Sequence, residues 1–414
     1  AQPASAPSAP AASEPAAGGP SAPPASGMDA MLFYQLLVGE MQWQAGEPGA
    51  AFSIVLDAAR RSRDENLFKR AVDIALQARA GDEALTACRA WRSALPQSLE
   101  ALRTQIPILA AMNRLADVAE PMRTLLSLTA EGDRPALIGS IPRLFQRASD
   151  PRALAEQMQG VLKPYVSTPG TAAAAQVAIG RLWLAAQDPA AALAAAKAAN
   201  EADPQAVGAA LLALELMPRA PQAEALVQAR LGTGSPGPAT TALRLAYGRV
   251  LAQAQRHADA IRQLEAALAS QPDLPSAWLT LGALRLELRD AAGAEAALQR
   301  YVGLAATKNS PPPQGSAGAP AGAEDPATGD EGAAGLLQAW LLLAQAAELR
   351  GDFAAAQAYL ARADNPARAL EVLTRRAIIL ARQGQLAQAR SLIQRAPQRD
   401  EDDERAKALA EVQV

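Results

Sequence analysis

Residues 242–272 read ALRLAYGRVLAQAQRHADAIRQLEAALASQP, and residues 276–306 read SAWLTLGALRLELRDAAGAEAALQRYVGLAA. Glycine, alanine and leucine recur in the two stretches at one spacing of 34 residues. The recurring pairs are Gly248 and Gly282, Ala260 and Ala294, and Leu264 and Leu298. Self-similarity at this period is typical of a repeated helix–turn–helix unit, so the sequence predicts an array of helical hairpins.

The same spacing extends over most of the chain. Gly180 and Ala192, for example, precede Gly248 and Ala260 by twice the period. The alanine column consists of Ala51, Ala84, Ala192, Ala260, Ala294, Ala356 and Ala389, and Val118 and Leu154 replace the alanine in two degenerate repeats. A small residue at this point lets the two helices of a hairpin approach closely, and stacked hairpins then bury a continuous core.

Composition agrees with this pattern and excludes several classes of protein. Half of the residues are hydrophobic but only 4% are aromatic, and alanine, the best helix former, dominates the apolar set, which predicts an all-α fold. A net charge of -3 provides no basic surface for nucleic acid. No uninterrupted run of about 18 apolar residues occurs, so we expect no transmembrane segment.

Few residues of the chain are suited to chemistry. Cys88 is the only cysteine and His257 the only histidine, and no catalytic motif accompanies either. The sequence therefore predicts no catalytic residue, no cofactor and no metal site. We interpret Cys88 as a small buried hydrophobe, with a redox or intermolecular role as the alternative, and His257 as a surface residue of a turn.

The repeat columns resemble those of the tetratricopeptide repeat family. Trp278, Leu281 and Gly282 fill the positions of the first helix in one repeat, and Trp340 and Leu343 fill them later. In the later repeat, Ala344 replaces the glycine. The resemblance implies a right-handed solenoid of about nine to ten hairpins, some of them degenerate, which binds other proteins and is not an enzyme.

Breaks in the pattern divide the chain into four parts. We expect an Ala/Pro-rich disordered tether at 1–28, a solenoid at 29–306 and a Pro/Gly-rich disordered insertion at 307–334. Residues 335–414 are expected to hold further repeats and a capping helix. The insertion is either a loop hanging from one continuous stack, which we favour, or a hinge between two blocks.

The amino-terminal stretch AQPASAPSAPAASEPAAGGPSAPPASG resembles the mature side of a secretory cleavage site. We therefore expect an exported, periplasmic protein whose mature chain begins at Ala1. A shortened recombinant chain is the alternative interpretation. Peripheral or lipid-mediated association with the outer membrane is a further expectation, although this sequence contains no cysteine at the cleavage site to carry a lipid.

One face of the first helices is the expected partner-binding surface. In the family that the chain resembles, this face lines the concave side of the solenoid. On the first repeat it consists of Phe33, Leu36, Glu40 and Trp43. On other repeats it includes Arg181, Arg249, Gln345 and Glu348. Aromatic and arginine side chains of this kind anchor protein partners, while for the first repeat an ordinary core beneath an amino-terminal cap is the alternative.

Residues 32–78 further resemble the opening of a group of proteobacterial outer-membrane lipoproteins with tetratricopeptide repeats. One type in that group is an adaptor that delivers cell-wall hydrolases to a carboxyl-terminal processing protease. The resemblance implies a non-catalytic scaffold or adaptor in the bacterial envelope, with a periplasmic protease as a candidate partner. The alternative is an assembly factor for an envelope machine such as a pilus, a secretion system or a polysaccharide exporter.

Overall fold

The computed structural model describes residues 30–308, 326–363 and 369–395. The predicted tether at 1–28 lies outside the described residues. So do most of the predicted insertion and the end of the last predicted part, including its expected capping helix.

The chain divides into two compact units, and the first comprises Ala1–Ala130 and Arg147–Ser149. Its described helices are α1 (Ala30–Gln44), α2 (Pro48–Ser62), α3 (Glu65–Gln77), α4 (Gly81–Ala94), α5 (Leu99–Ala111) and α6 (Ala119–Leu128). Each of these helices packs against the next one along the chain. The six helices therefore form three successive hairpins.

The second unit comprises Glu131–Gln146 and Asp150–Val414. Its helices begin with α7 (Arg134–Leu144), α8 (Pro151–Leu162), α9 (Ala172–Ala185), α10 (Pro189–Ala202), α11 (Val207–Leu216), α12 (Glu224–Thr233) and α13 (Pro238–Gln253). They continue with α14 (His257–Ser270), α15 (Pro275–Glu287), α16 (Ala291–Lys308), α17 (Pro326–Leu349), α18 (Phe353–Arg362), α19 (Ala369–Arg382) and α20 (Leu386–Gln394). Helices α7 and α8 both pack on α9, and from α9 onward the helices pair as hairpins.

The described residues contain helices and turns but no strand, so the predicted all-α fold is confirmed. The hairpin prediction is confirmed as well, because the helices pair in the order that the repeat columns require. All seven members of the alanine column are completely buried. At Gly282 a Cβ atom would lie 2.5 Å from Cγ of Leu298, which explains why the first helix has no side chain there.

Most hairpins are closed by one residue in the left-handed conformation. These residues are Gly46, Arg79, Asn113, Gln187, Gln255, Arg289, Gly351 and Gly384. At the turn between α13 and α14, for example, the backbone N–H of Arg256 donates to the carbonyl oxygen of Leu251 at 2.9 Å. A left-handed residue reverses the chain direction at the end of the first helix and lets the next N–H groups cap it.

Helices reach into both ends of the predicted insertion, since α16 continues to Lys308 and α17 begins at Pro326. Leu298 of α16 and Leu343 of α17 lie in one buried hydrophobic cluster. The helices on either side of the insertion thus pack directly against each other.

Candidate protein-binding surface

Helix α1 presents an unusual amount of apolar surface to solvent. Five of the ten exposed large hydrophobic residues in the described part of the chain lie on it. They are Met31, Phe33, Tyr34, Leu37 and Met41, which are 48% to 63% exposed. On the opposite side of the helix, the buried Gly39 faces α2 so closely that a Cβ atom there would lie 2.9 Å from a methyl group of Val55.

The residues predicted on the first repeat all lie on α1, but they differ in exposure. Phe33 is exposed, whereas Leu36, Glu40 and Trp43 are half-buried. Phe33 therefore belongs to the five exposed apolar residues named above, which we call the α1 stripe. The other three lie along the border of this stripe. The structure places the predicted face beside the stripe rather than in its centre.

Glu40 and Trp43 are held by Arg70 of α3, a residue that the sequence did not single out. The Arg70 guanidinium donates to both oxygens of the Glu40 carboxylate, with Nε–Oε1 and Nη2–Oε2 distances of 2.8 and 2.7 Å. It also lies 5.9 Å from the centroid of the Trp43 ring. The hydrogen bonds from Arg70 lower the pKa of Glu40, because they stabilise the ionised form of the carboxylate.

Arg181 on α9 lies in a pocket of about 420 Å³. Its Nη2 is 2.9 Å from Oε1 of Glu215 on α11. The floor of the pocket is apolar and includes Phe145, Leu154 and Leu182. The pocket thus combines an apolar floor with a partly exposed arginine, the kind of lining that ligand sites have.

The remaining predicted residues are spread over two helices. Arg249 is exposed on α13, and Gln345 and Glu348 are half-buried on α17. Oε2 of Glu348 lies 3.6 Å from Nη1 of Arg382 on α19. Burial nevertheless raises the pKa of Glu348, because a single long contact with Arg382 and the charge of Arg375 do not offset the loss of hydration.

The structure places the lone cysteine on α4 and the lone histidine on α14. Cys88 is completely buried on α4, and burial raises the pKa of its thiol to about 12. His257 is the half-buried first residue of α14. Within the described ranges no three His, Cys, Asp or Glu side chains are grouped to hold a metal ion.

None of the helices described here is both long enough and apolar enough to cross a membrane.

Comparison with known proteins identifies one repeat of a known family in the chain. The family model for the tetratricopeptide repeat matches residues 241–284. No protein of curated function matches the chain.

Solved structures with a similar fold are distant in sequence. The Cut9–Hcn1 complex of the APC/C is 15% identical with a TM-score of 0.33, the match covering 92% of this chain and 76% of that one. The C-terminal part of a TPR repeat-containing protein from Cytophaga hutchinsonii is 11% identical with a TM-score of 0.42, over 64% and 94% of the two chains. The pilF protein of Pseudomonas aeruginosa is 15% identical with a TM-score of 0.35, over 56% and 92%.

At such identities the likeness concerns the fold alone. Residues 241–284 thus carry a tetratricopeptide repeat, within an all-α array of helical hairpins.

Proposed function

We propose that this protein is a non-catalytic scaffold of the bacterial envelope that holds a partner protein on the first helices of its hairpins. The observation that carries the proposal is the exposed stripe of α1. A large contiguous apolar surface is costly to leave in water and marks an interaction site on most folded proteins. Aromatic side chains such as Phe33 and Tyr34 are the residues that most often anchor protein interfaces.

The surroundings of the stripe suit a partner that is itself a folded protein. Glu40 is the only charged residue of α1, and Arg70 already neutralises it. Trp43 is fixed by the same arginine, so it presents a rigid ring at the border of the stripe. Rigid aromatic side chains lose little conformational entropy on binding.

For the partner we propose a periplasmic carboxyl-terminal processing protease that acts on cell-wall hydrolases. This finer proposal is supported by the resemblance of residues 32–78 to envelope adaptors and by the Pro/Ala-rich sequence that precedes them. Export to the periplasm and association with the outer membrane are parts of the same proposal.

The test uses the full chain and the purified protease, with affinity measured by calorimetry. The double variant Phe33→Ala/Trp43→Ala should weaken binding at least tenfold, because buried aromatic anchors contribute on the order of 2 kcal/mol. Leu288→Ala is the matched control, since Leu288 is an equally exposed apolar residue outside α1. It should bind as the wild type does.

The outcomes test the binding face and the identity of the partner separately. If the wild type binds the protease and the double variant binds equally well, α1 is not the binding face. If the wild type does not bind the protease at all, the adaptor role is wrong.

A further inference from the structure

A groove lined by aromatic side chains lies between α16, α17 and α18 of the second unit. Its walls include Gln299 and Val302 of α16, Trp340 of α17, and Tyr359 and Arg362 of α18. The rings of Trp340 and Tyr359 stack with centroids 6.0 Å apart and planes inclined by 23°. The volume of about 420 Å³ is within the range of ligand sites. We call it the Trp340 groove.

The indole N–H of Trp340 lacks an acceptor that its counterpart in another repeat has. Trp278 occupies the same repeat position on α15, and its Nε1 donates to the carbonyl oxygen of Pro272 at 2.8 Å. Pro272 lies in the turn that precedes α15. The corresponding point before Trp340 is already inside α17, where carbonyl groups are engaged in the helix. Accordingly, Nε1 of Trp340 makes no hydrogen bond to any residue that the structure describes.

Besides the Trp340 N–H, the groove has other donors near the ring, while Gln299 contributes an amide whose Nε2 donates to Glu295 and to the Tyr359 hydroxyl at 3.3 Å. Tyr359 donates its hydroxyl hydrogen to Oε1 of Glu295 at 2.8 Å. The second oxygen of Glu295 pairs with Arg350. The Arg362 guanidinium, 5.0 Å from the centroid of the Trp340 ring, adds further N–H groups at the rim. A ligand that offers hydrogen-bond acceptors to Trp340 and Arg362, and flat apolar surface to the two rings, matches this groove.

We infer that the Trp340 groove binds a proline-rich segment of a partner protein in the polyproline II conformation. A proline residue supplies a carbonyl acceptor but no N–H, so it brings no donor that the groove would leave unpaired. Its ring packs on aromatic faces, and the polyproline II helix is already ordered before it binds. This site lies on other helices than the α1 stripe and takes a different kind of partner.

The test measures binding of a labelled decaproline peptide to the full chain by fluorescence anisotropy. The wild type should bind decaproline saturably and should not bind a Gly-Ser peptide of equal length. Trp340→Phe keeps the ring but loses the N–H, and it should weaken binding about three- to tenfold, the effect of one hydrogen bond. Trp278→Phe removes an N–H that is satisfied within the protein, so it should bind as the wild type does.

Absence of saturable binding by the wild type would overturn the inference. Equal weakening by Trp278→Phe and Trp340→Phe would overturn it as well. The chain also contains prolines of its own at 311–313. If decaproline binds only after all three are changed to alanine, the groove serves a segment of this chain and the partner assignment is wrong.

Discussion

Helices α1 and α17 are both first helices of a hairpin, but they differ in how much of their apolar surface reaches solvent. Helix α1 packs on α2 and exposes five large apolar residues, while α17 packs against α15, α16 and α18 and buries Leu337, Leu341 and Leu343. Their acidic residues differ in the same way. Glu40 is held by two short hydrogen bonds that lower its pKa, and Glu348 is buried with a raised pKa. Repeat position fixes the side of a helix on which a residue lies, but the neighbouring helices decide whether water reaches it.

The largest expected difference between α17 and α1 is the loss of unfolding free energy when a leucine side chain is shortened to alanine. Leu343 of α17 is completely buried, so Leu343→Ala should lower the free energy of unfolding by about 2–5 kcal/mol. Leu37 of α1 is 48% exposed, and Leu37→Ala should change it by less than about 0.5 kcal/mol. Urea unfolding followed by circular dichroism measures both. Equal losses would show that the α1 stripe is covered in the folded protein.

A smaller difference in stability is expected at the position where each helix contacts the second helix of its hairpin. Ala344 occupies the position on α17 that Gly39 occupies on α1, and Ala344→Gly should cost about 1 kcal/mol through helix propensity. In Gly39→Ala the new Cβ would lie 2.9 Å from a methyl group of Val55, a buried and β-branched side chain that cannot move aside freely. The overpacking cost of about 1–3 kcal/mol exceeds the propensity gain of about 1 kcal/mol. Thermal unfolding should place both variants below the wild type.

The smallest expected difference between the two helices is in how their glutamates make the stability depend on pH, where the two effects have opposite signs. Because the pKa of Glu40 is lowered, its ion pair stabilises the fold above pH 4.5 and is lost as the pH falls through the lowered value. Glu40→Gln should therefore be less stable than the wild type at pH 7, by about 0.5 kcal/mol for this half-exposed pair.

For Glu348 the pH dependence of the stability has the opposite sign. Its pKa is raised, so the folded state loses stability as the pH rises from 4.5 through the raised value. Glu348→Gln should be slightly more stable than the wild type at pH 7 and equal to it at low pH. Unfolding midpoints recorded from pH 3 to pH 8 test both variants. A destabilising effect of Glu348→Gln at pH 7 would show that the contact with Arg382 outweighs burial.

The hairpins, the buried alanine column and the burial of Cys88 could all be predicted from the sequence. Each depends on a residue type that recurs at a fixed offset, and small residues at helix contacts have few other uses. The packing of both α7 and α8 on α9 could not be predicted, because that stretch has no repeat partner in the sequence with which to align it.

The candidate site was less accessible to sequence reasoning. The repeat register located Glu40, Arg181 and Glu348 but not the residues that pair with them. Those partners, Arg70, Glu215 and Arg382, lie 30 to 34 positions further along the chain. Opposite charges one repeat apart were the signal that could have found them. Exposure of α1 was beyond such reasoning, since the same apolar spacing describes a buried helix when a neighbour covers it.

The left-handed residues at the hairpin turns also bear on how such an array can evolve. Five of them are not glycine, namely Arg79, Asn113, Gln187, Gln255 and Arg289. Each accepts a backbone conformation that costs a non-glycine residue roughly 1 kcal/mol. Because every turn belongs to a single hairpin, a mutation there adjusts the rigidity of that hairpin alone. Mutation and selection can therefore change the rigidity of one hairpin at a time, and the α1 stripe and the Trp340 groove stay unaltered.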